Sequence, residues 1–393
     1  MLANKHSPAA GPPTPSYIFR GHEAAIHALH FFQANHFFAS GDANGWIVIW
    51  RLTTKRPVVV WKAHDAGVSG IKDWQNDRLI THGRDHKLRV WRIREGDFES
   101  LSTTLPIDGA AAEDRQPWLV HSMDVNALNF CAFAVCFDPD HKSADQDGYQ
   151  PLLLVSPNGL DNGGIDIFQL PTEQRVSKIQ SDKKANTGMV MSLRILTTHT
   201  IGRLTLVVGY EDGQVAVYAK KDQNVMPVWV WERLLISKPH QQPVLSVDID
   251  PGQKFFITSS ADAMVTRFGL PFQHVEQLDA EKTNNTKHAG QQDLKVRSDG
   301  RIFATAGWDK HVRVYSTKSL KELAVLQWHK EGCYALDFAR VIQQQSPTSK
   351  TKESLVSLDA MAKLKQEREN KIHSTHWLVS GSKDGKIALW DVY

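Results

Sequence analysis

LVSGSKDGKIALW, residues Leu378–Trp390, joins a short apolar run to a tight turn and then to an alternating strand that ends in an aromatic. The phrase recurs as FASGDANGWIVIW (Phe38–Trp50), LITHGRDHKLRVW (Leu79–Trp91) and FATAGWDKHVRVY (Phe303–Tyr315). Looser copies end at Phe168, Tyr218 and Phe268. In all seven, an Asp or Asn precedes the closing aromatic by six residues: Asn44, Asp85, Asn162, Asp212, Asp262, Asp309 and Asp384. The aromatics lie 41, 77, 50, 50, 47 and 75 residues apart. The shortest interval matches the roughly 40–45 residues of one four-stranded propeller blade. The fold expected is therefore all-β, a seven-bladed propeller.

Most copies carry a His upstream of the phrase: His22, His64, His240, His288 and His329. His121, which opens HSMDVNALNF, is assigned to the third copy, and the fourth has only Asn186-Thr187-Gly188 there. A buried His can accept from a strand hydroxyl and donate its other N–H to the turn carboxylate, while an indole N–H reaches the same hydroxyl. Each buried polar group left without a partner costs about 1–3 kcal/mol, so such a chain is structural. Two copies have every member: His64, Thr81, Asp85, Trp91 and His329, Ser380, Asp384, Trp390. The first copy is expected to use Asn44 in place of Asp beside His22, Ser40 and Trp50. Phe168, Tyr218, Phe268 and Tyr315 lack the indole donor and shorten their networks. Nucleophilic catalysis needs one exposed, activated Ser with an oxyanion site, whereas this grouping recurs blade after blade.

The last phrase ends at Trp390, three residues before Tyr393, which leaves no room for an outer strand. Ahead of His22 stands an unassigned strand, YIFR (Tyr17–Arg20). Pairing the two closes the ring and removes an open sheet edge.

Forty-six basic residues stand against 43 acidic ones, a net +3, with 41% hydrophobic residues and 12 Trp. That is the composition of a large globular chain, with no electrostatic reason to expect nucleic-acid binding. Cys131, Cys136 and Cys333 are odd in number and lack metal-site spacing, so neither a disulfide framework nor a zinc site is expected. Cys131 and Cys136 fall in the apolar run LNFCAFAVCF, as small buried thiols do. No leader-like or membrane-spanning stretch is present, which points to the cytosol or nucleus.

Residues 1–16 read as a disordered tail and 17–393 as the propeller. Ile107–Pro117 is read as joining the second and third blades, and Asp138–Gln150 as interrupting two strands of the third. That second loop is Asp-rich but lacks EF-hand spacing, and no metal is expected. Val341–Thr375 interrupts the seventh blade. Within it Ser354–Lys371 reads as a helix, with Leu355, Leu358, Met361, Ala362 and Leu364 as an apolar stripe. It is either a helix resting on the ring or a docking element. P-loop, HExxH, GxSxG, GxGxxG and CxxC motifs are all absent, so no catalytic residue and no cofactor is expected.

The repeats resemble WD-repeat propellers across Tyr17–Tyr393, with the signature dipeptides Gly21-His22 and Trp390-Asp391. Longer phrases narrow the likeness. PPTPSYIFRGHEAAIHAL, WKAHDAGVSGIKDW, SPNGLDNGGIDIFQLP and SGSKDGKIALWDVY are similar to the fungal ASTRA-associated protein 1 family, whose animal relatives are the G-protein-beta-like proteins. The resemblance implies a noncatalytic scaffold subunit of a nuclear assembly. Such an assembly contains a giant pseudokinase of the phosphoinositide-kinase-related class, its cochaperone trimer and a pair of AAA+ ATPases. The implied roles are chromatin regulation and maturation of such kinases. A propeller reader of a histone tail or phosphopeptide, and an enzyme using the central channel, are the other classes considered.

Function on a rigid strand scaffold sits in the loops it presents. The partner surface is expected on the face bearing the turns between second and third strands. The residues before the turn Asp or Asn point out there: Arg84, Asp161, Glu211, Trp308 and Lys383. At the channel rim, the openings of inner strands place His27, Asn126, Met191 and Tyr334. Trp308 and Tyr334 are the expected anchors, as large exposed aromatics.

Overall fold

Each phrase folds as a hairpin because its turn chemistry and its alternation agree. Phe37–Asp42 and Trp46–Arg51 pair antiparallel with Phe38 opposite Trp50 and Ser40 opposite Val48. Between them Gly45 takes φ +88°, and a Cβ there would lie 2.0 Å from the His64 carbonyl oxygen, so only Gly fits. Adding an inner and an outer strand gives the four-stranded antiparallel blade.

The structure, a computed structural model, describes residues 13–109, 115–126, 131–140, 148–182, 185–199, 202–221, 229–271, 273, 279–342 and 360–392. Seven four-stranded sheets are present. Their inner strands are Ile26–Phe32, Val68–Trp74, Ala134–Phe137, Val190–Thr197, Ser246–Ile249, Gln291–Val296 and Cys333–Phe338. The core lies between successive sheets, where buried apolar residues of one blade meet the next.

The seventh sheet is completed from the N-terminus. Tyr17–Phe19 pairs with Ile387–Asp391, placing Tyr17 opposite Leu389 and Phe19 opposite Ile387. Phe19 is 1% exposed and its ring lies 4.8 Å from that of Phe38 and 5.1 Å from that of Trp50. The closing strand therefore fills the core between the seventh blade and the first.

Other segments sit differently from the sequence reading. Trp118–Asp124 pairs with Lys87–Arg92 as the outer strand of blade two. Ile107–Pro117 thus lies inside blade two rather than between blades two and three. His121, on that outer strand, is bonded to Glu173 at 2.7 Å and does not serve the third blade's turn. The helix runs Ala360–Ser374, and residues 354–359 lie outside the described residues. Ile372, near its end, is the buried anchor, packed in the cluster that holds Phe31, Phe38 and Trp377. The apolar stripe read from Leu355 to Leu364 falls where side chains are not described. Cys131 and Cys333 are buried and Cys136 half-buried, all three unpaired.

The buried polar chains differ from blade to blade. In blade two the Trp91 indole donates to Thr81 at 2.9 Å, the Thr81 hydroxyl lies 2.8 Å from His64 Nε2, and His64 Nδ1 lies 2.9 Å from Asp85. Blade seven repeats the first two links through Trp390, Ser380 and His329 at 2.9 Å each. There the His329–Asp384 separation is 3.6 Å, beyond a hydrogen bond. Blade one is complete, but through Asp42 and not Asn44: His22 Nδ1 lies 2.7 Å from the Asp42 carboxylate. Asp42 also takes the Asn44 and Trp46 amides, so a carboxylate two residues earlier replaces the expected one.

Blade five keeps His240–Thr258 at 2.8 Å and His240–Asp262 at 3.2 Å without an indole. In blade six Arg313 takes Asp309 at 2.6 Å, while His288 is exposed on the outside, 3.4 Å from the same carboxylate. In blade four Tyr210 and Tyr218 pair their hydroxyls at 3.1 Å. In blade three Asn158, not Asn162, organises the turn by accepting the Leu160 and Asp161 amides.

Candidate functional site

A break in strand regularity builds the mouth of the central channel. In blades one, two, four, six and seven the inner strand slips register at its second residue. Such a bulge leaves one residue unpaired and re-aims its side chain. The residues so placed are His27, Ser69, Met191, Gln292 and Tyr334, and all five line one cavity of about 780 Å³. Turns between second and third strands add Arg84 and Trp308 to its rim.

Of the candidates read from the sequence, the structure brings His27, Arg84, Met191, Trp308 and Tyr334 around this one cavity. Lys383 is exposed, with its ammonium 3.6 Å from Glu331, and is not part of the lining. Asp161 and Glu211 fold back, their carboxylates accepting the Ser181 and Met189 amides. Asn126 does not open an inner strand. Blade three's inner strand starts at Ala134, and Asn126 donates to the Asn158 carbonyl at 2.8 Å. Ser69 and Gln292 were missed because nothing in their residue type marks them. Their position one residue into the phrases VSGIKDW and QQDLKV is the signal that finds them.

The aromatics are held in place and still accessible. Trp308 is 47% exposed, its ring lies over Gly290, and its indole donates to Gln292 at 2.8 Å. The Tyr334 and His27 rings stack at 5.4 Å and 12°. Burial lowers the His27 pKa and the nearby Arg84 charge lowers it further, against a smaller opposing effect of Asp42.

Below the rim the charges are unequal. Lys72, Arg84, Arg194 and Lys295 line the cavity against one carboxylate, Asp293. Arg194 donates to Asp248 at 2.9 Å, and Lys295 to Asp293 at 3.1 Å. Among the described residues Lys72 has no carboxylate within ion-pair distance. Burial and then the Lys295 charge lower its pKa to about 8, with Asp337 and Asp248 opposing and Arg194 reinforcing the fall.

Several inner-strand carboxylates serve the ring itself. Asp248 accepts the Val296 amide at 2.7 Å, Asp293 that of Leu336 at 2.9 Å, and Asp337 that of Phe31 at 2.7 Å. Each ties its blade to the next. Asp73 instead meets His30 of blade one at 2.6 Å. The recurring Asp in GIKDW, SVDI, QQDLKV and YALDF is a sequence signal for this belt that the reading from the closing aromatics passed over.

The sequence model of ASTRA-associated protein 1 matches residues 15–390, from just ahead of the closing strand into the last one. The chain belongs to the ASTRA-associated protein 1 family. A protein of that name from Aspergillus niger is 44% identical over 431 residues, covering 97% of this chain and 98% of its own. One from Verticillium alfalfae is 44% identical over 389 residues, covering 97% and 93%. Its namesake in Schizosaccharomyces pombe is 33% identical over 359 residues, covering 83% and 93%. Since the match runs through all seven blades, the family's members are related over the whole ring.

Proposed function

We propose that the protein is a noncatalytic scaffold subunit of a nuclear ASTRA-type assembly. Its expected partners are the kinase-related giant subunit, that subunit's cochaperone trimer and the AAA+ ATPases. Its place there serves chromatin regulation and the maturation of phosphoinositide-kinase-related kinases. The observation that carries this reading is the match over residues 15–390 to a family named for association with ASTRA. The site chemistry is in keeping with it. The Ser/Thr-His pairs lie buried in blades one, two, five and seven, where they link strands rather than face a substrate. The described cysteines are held far from reactivity, burial raising the Cys136 thiol to about 12. A histone-tail reader fits less well, because a lysine-rich tail would meet four cations and one carboxylate in the channel mouth.

The docking face of this scaffold is the one that carries Trp308 and Tyr334. Large, partly exposed aromatics in a desolvated setting carry most of the energy in many interfaces. Affinity purification of the tagged native protein, read by mass spectrometry, should recover the large partners. Trp308→Ala with Tyr334→Ala should reduce that recovery while the melting temperature stays near the wild-type value. Full recovery by the folded double variant moves the interface elsewhere, with the helix Ala360–Ser374 next. Absence of any large partner from the wild-type purification defeats the scaffold reading.

A further inference from the structure

The channel mouth has walls and a floor of different character. The walls offer apolar and aromatic surface in Met191, Phe133, Trp308 and Tyr334. The floor offers Lys72, with Lys295 and Arg194 near enough to repel it. Of those three cations, two already have a carboxylate within 3.1 Å, from Asp293 and Asp248, while Lys72 has none among the described residues. Asp337 and Asp248 attract Lys72 from beyond ion-pair distance, but burial and the Lys295 charge outweigh them, and an opposite charge brought into contact with the ammonium stabilises its charged form. Lys72 is half-buried, and a partly buried pair is screened by salt less than one at the open surface.

We propose that the channel mouth receives an acidic segment of a protein partner, one carboxylate reaching Lys72 while the flanking side chains lie on Trp308 and Tyr334. The inference rests on the scaffold reading and adds the chemistry of the segment that docks. Three features carry it. The lining has an excess of cations. The one lysine among them that lacks a carboxylate lies below the aromatic rim. Arg84, on the turn above, places a further cation where an acidic chain would enter. The lowered pKa of Lys72 agrees, because an anion seated beside it would oppose the burial and the Lys295 charge that lower it.

The test uses the full-length tagged chain and the partners it recovers. Lys72→Glu, and separately Arg84→Glu, should each reduce recovery at least tenfold. Lys72→Arg should retain most of it, and Lys321→Glu, in the exposed turn between the third and fourth strands of blade six at the opposite end of the strands, should retain all of it. Melting temperatures identify any variant that fails to fold, and Arg84→Glu, at an exposed position, keeps the test open if Lys72→Glu does fail. A second readout is acetylation of Lys72 by limiting acetic anhydride, expected to fall at least fivefold in the purified assembly relative to the isolated chain. Wild-type recovery by folded Lys72→Glu and Arg84→Glu overturns the inference and leaves the scaffold reading standing. Absence of partners from the wild-type chain defeats the scaffold reading instead. If nuclease treatment abolishes the charge-dependent recovery, the anion is a nucleic acid and the proposal is wrong. If phosphatase treatment abolishes it, the anion is a phosphate and the carboxylate assignment is wrong.

Discussion

Blades two and six have the same four-stranded plan and the same Arg on the turn carboxylate, Arg89 on Asp85 at 2.8 Å and Arg313 on Asp309 at 2.6 Å, but they differ in what else reaches it. Blade two runs an unbroken chain from the Trp91 indole through Thr81 and His64 to Asp85. Blade six has a Thr, an Asp and an Arg at the matching places, yet Thr305 meets neither a His nor an indole, and the Arg is left as the main partner of the carboxylate. Its closing Tyr315 packs on Phe303 at 5.0 Å, nearly parallel. The fold thus requires that the turn carboxylate be satisfied but does not prescribe by what. Chains that link an indole to a His occur in blades seven, one and two, which flank the joint where Tyr17–Phe19 closes the ring.

The largest effect is expected at that joint. Phe19→Ala removes a ring buried between Phe38, Trp50 and the last strand, and such truncations cost about 3–5 kcal/mol. A chain starting at His22 loses the whole strand and exposes an edge, so it should aggregate or melt far lower. Thermal melts of both, beside Ile302→Ala in blade six, measure how much the joint matters. If the shortened chain melts like the full-length protein, the closing strand contributes nothing and blades flanking it are not special.

Much of this architecture was legible in the sequence because period and turn chemistry are local. The seven phrases, the closing strand and two of the three complete or near-complete chains follow from residue order alone. What escaped depends on space. Asp42 replaces Asn44 because backbone geometry, not sequence offset, decides which carboxylate reaches His22. His121 was misplaced because the long segment before Trp118 hid the fact that blade two still lacked its outer strand. The cavity was half legible. His27, Met191 and Tyr334 were placed by their offset, whereas the gathering of Lys72, Arg194 and Lys295 below them comes from inner strands of different blades converging, which no linear pattern displays.

A middle-sized effect separates blades two and six directly. Thr81→Val keeps the shape but leaves the His64 nitrogen and the Trp91 indole without their shared partner. Leaving buried groups unsatisfied should cost about 1–3 kcal/mol. Thr305→Val severs no such chain and should change stability by no more than about 0.5 kcal/mol, if not raise it. Chemical denaturation of the pair is the measurement. Equal losses would mean that the indole–hydroxyl–His chain is not what stabilises blade two.

The smallest effect concerns pH, and it asks whether a His and an Arg are equivalent partners for the turn carboxylate. Burial by itself would raise the Asp384 carboxyl. The His329 ring and the amides of Lys330 and Lys386 outweigh that and hold it at about 2. Asp309 in blade six is also held at about 2, burial again being outweighed, there chiefly by Arg313. A carboxylate depressed on folding adds stability that is fully present above its unfolded value of about 3.8 and is lost as pH falls from there toward 2. Both sites are partly open to water, so each contribution is about 1 kcal/mol. Asp384→Asn and Asp309→Asn should therefore lower the melting temperature by a few degrees at pH 6, and both differences should shrink toward zero near pH 2. His329 stands 3.6 Å from Asp384, whereas Arg313 donates directly to Asp309, so the Asp309 substitution should be the costlier at pH 6. An Asp384→Asn loss as large as that of Asp309→Asn would show that the two amides, and not the His ring, secure the carboxylate in blade seven.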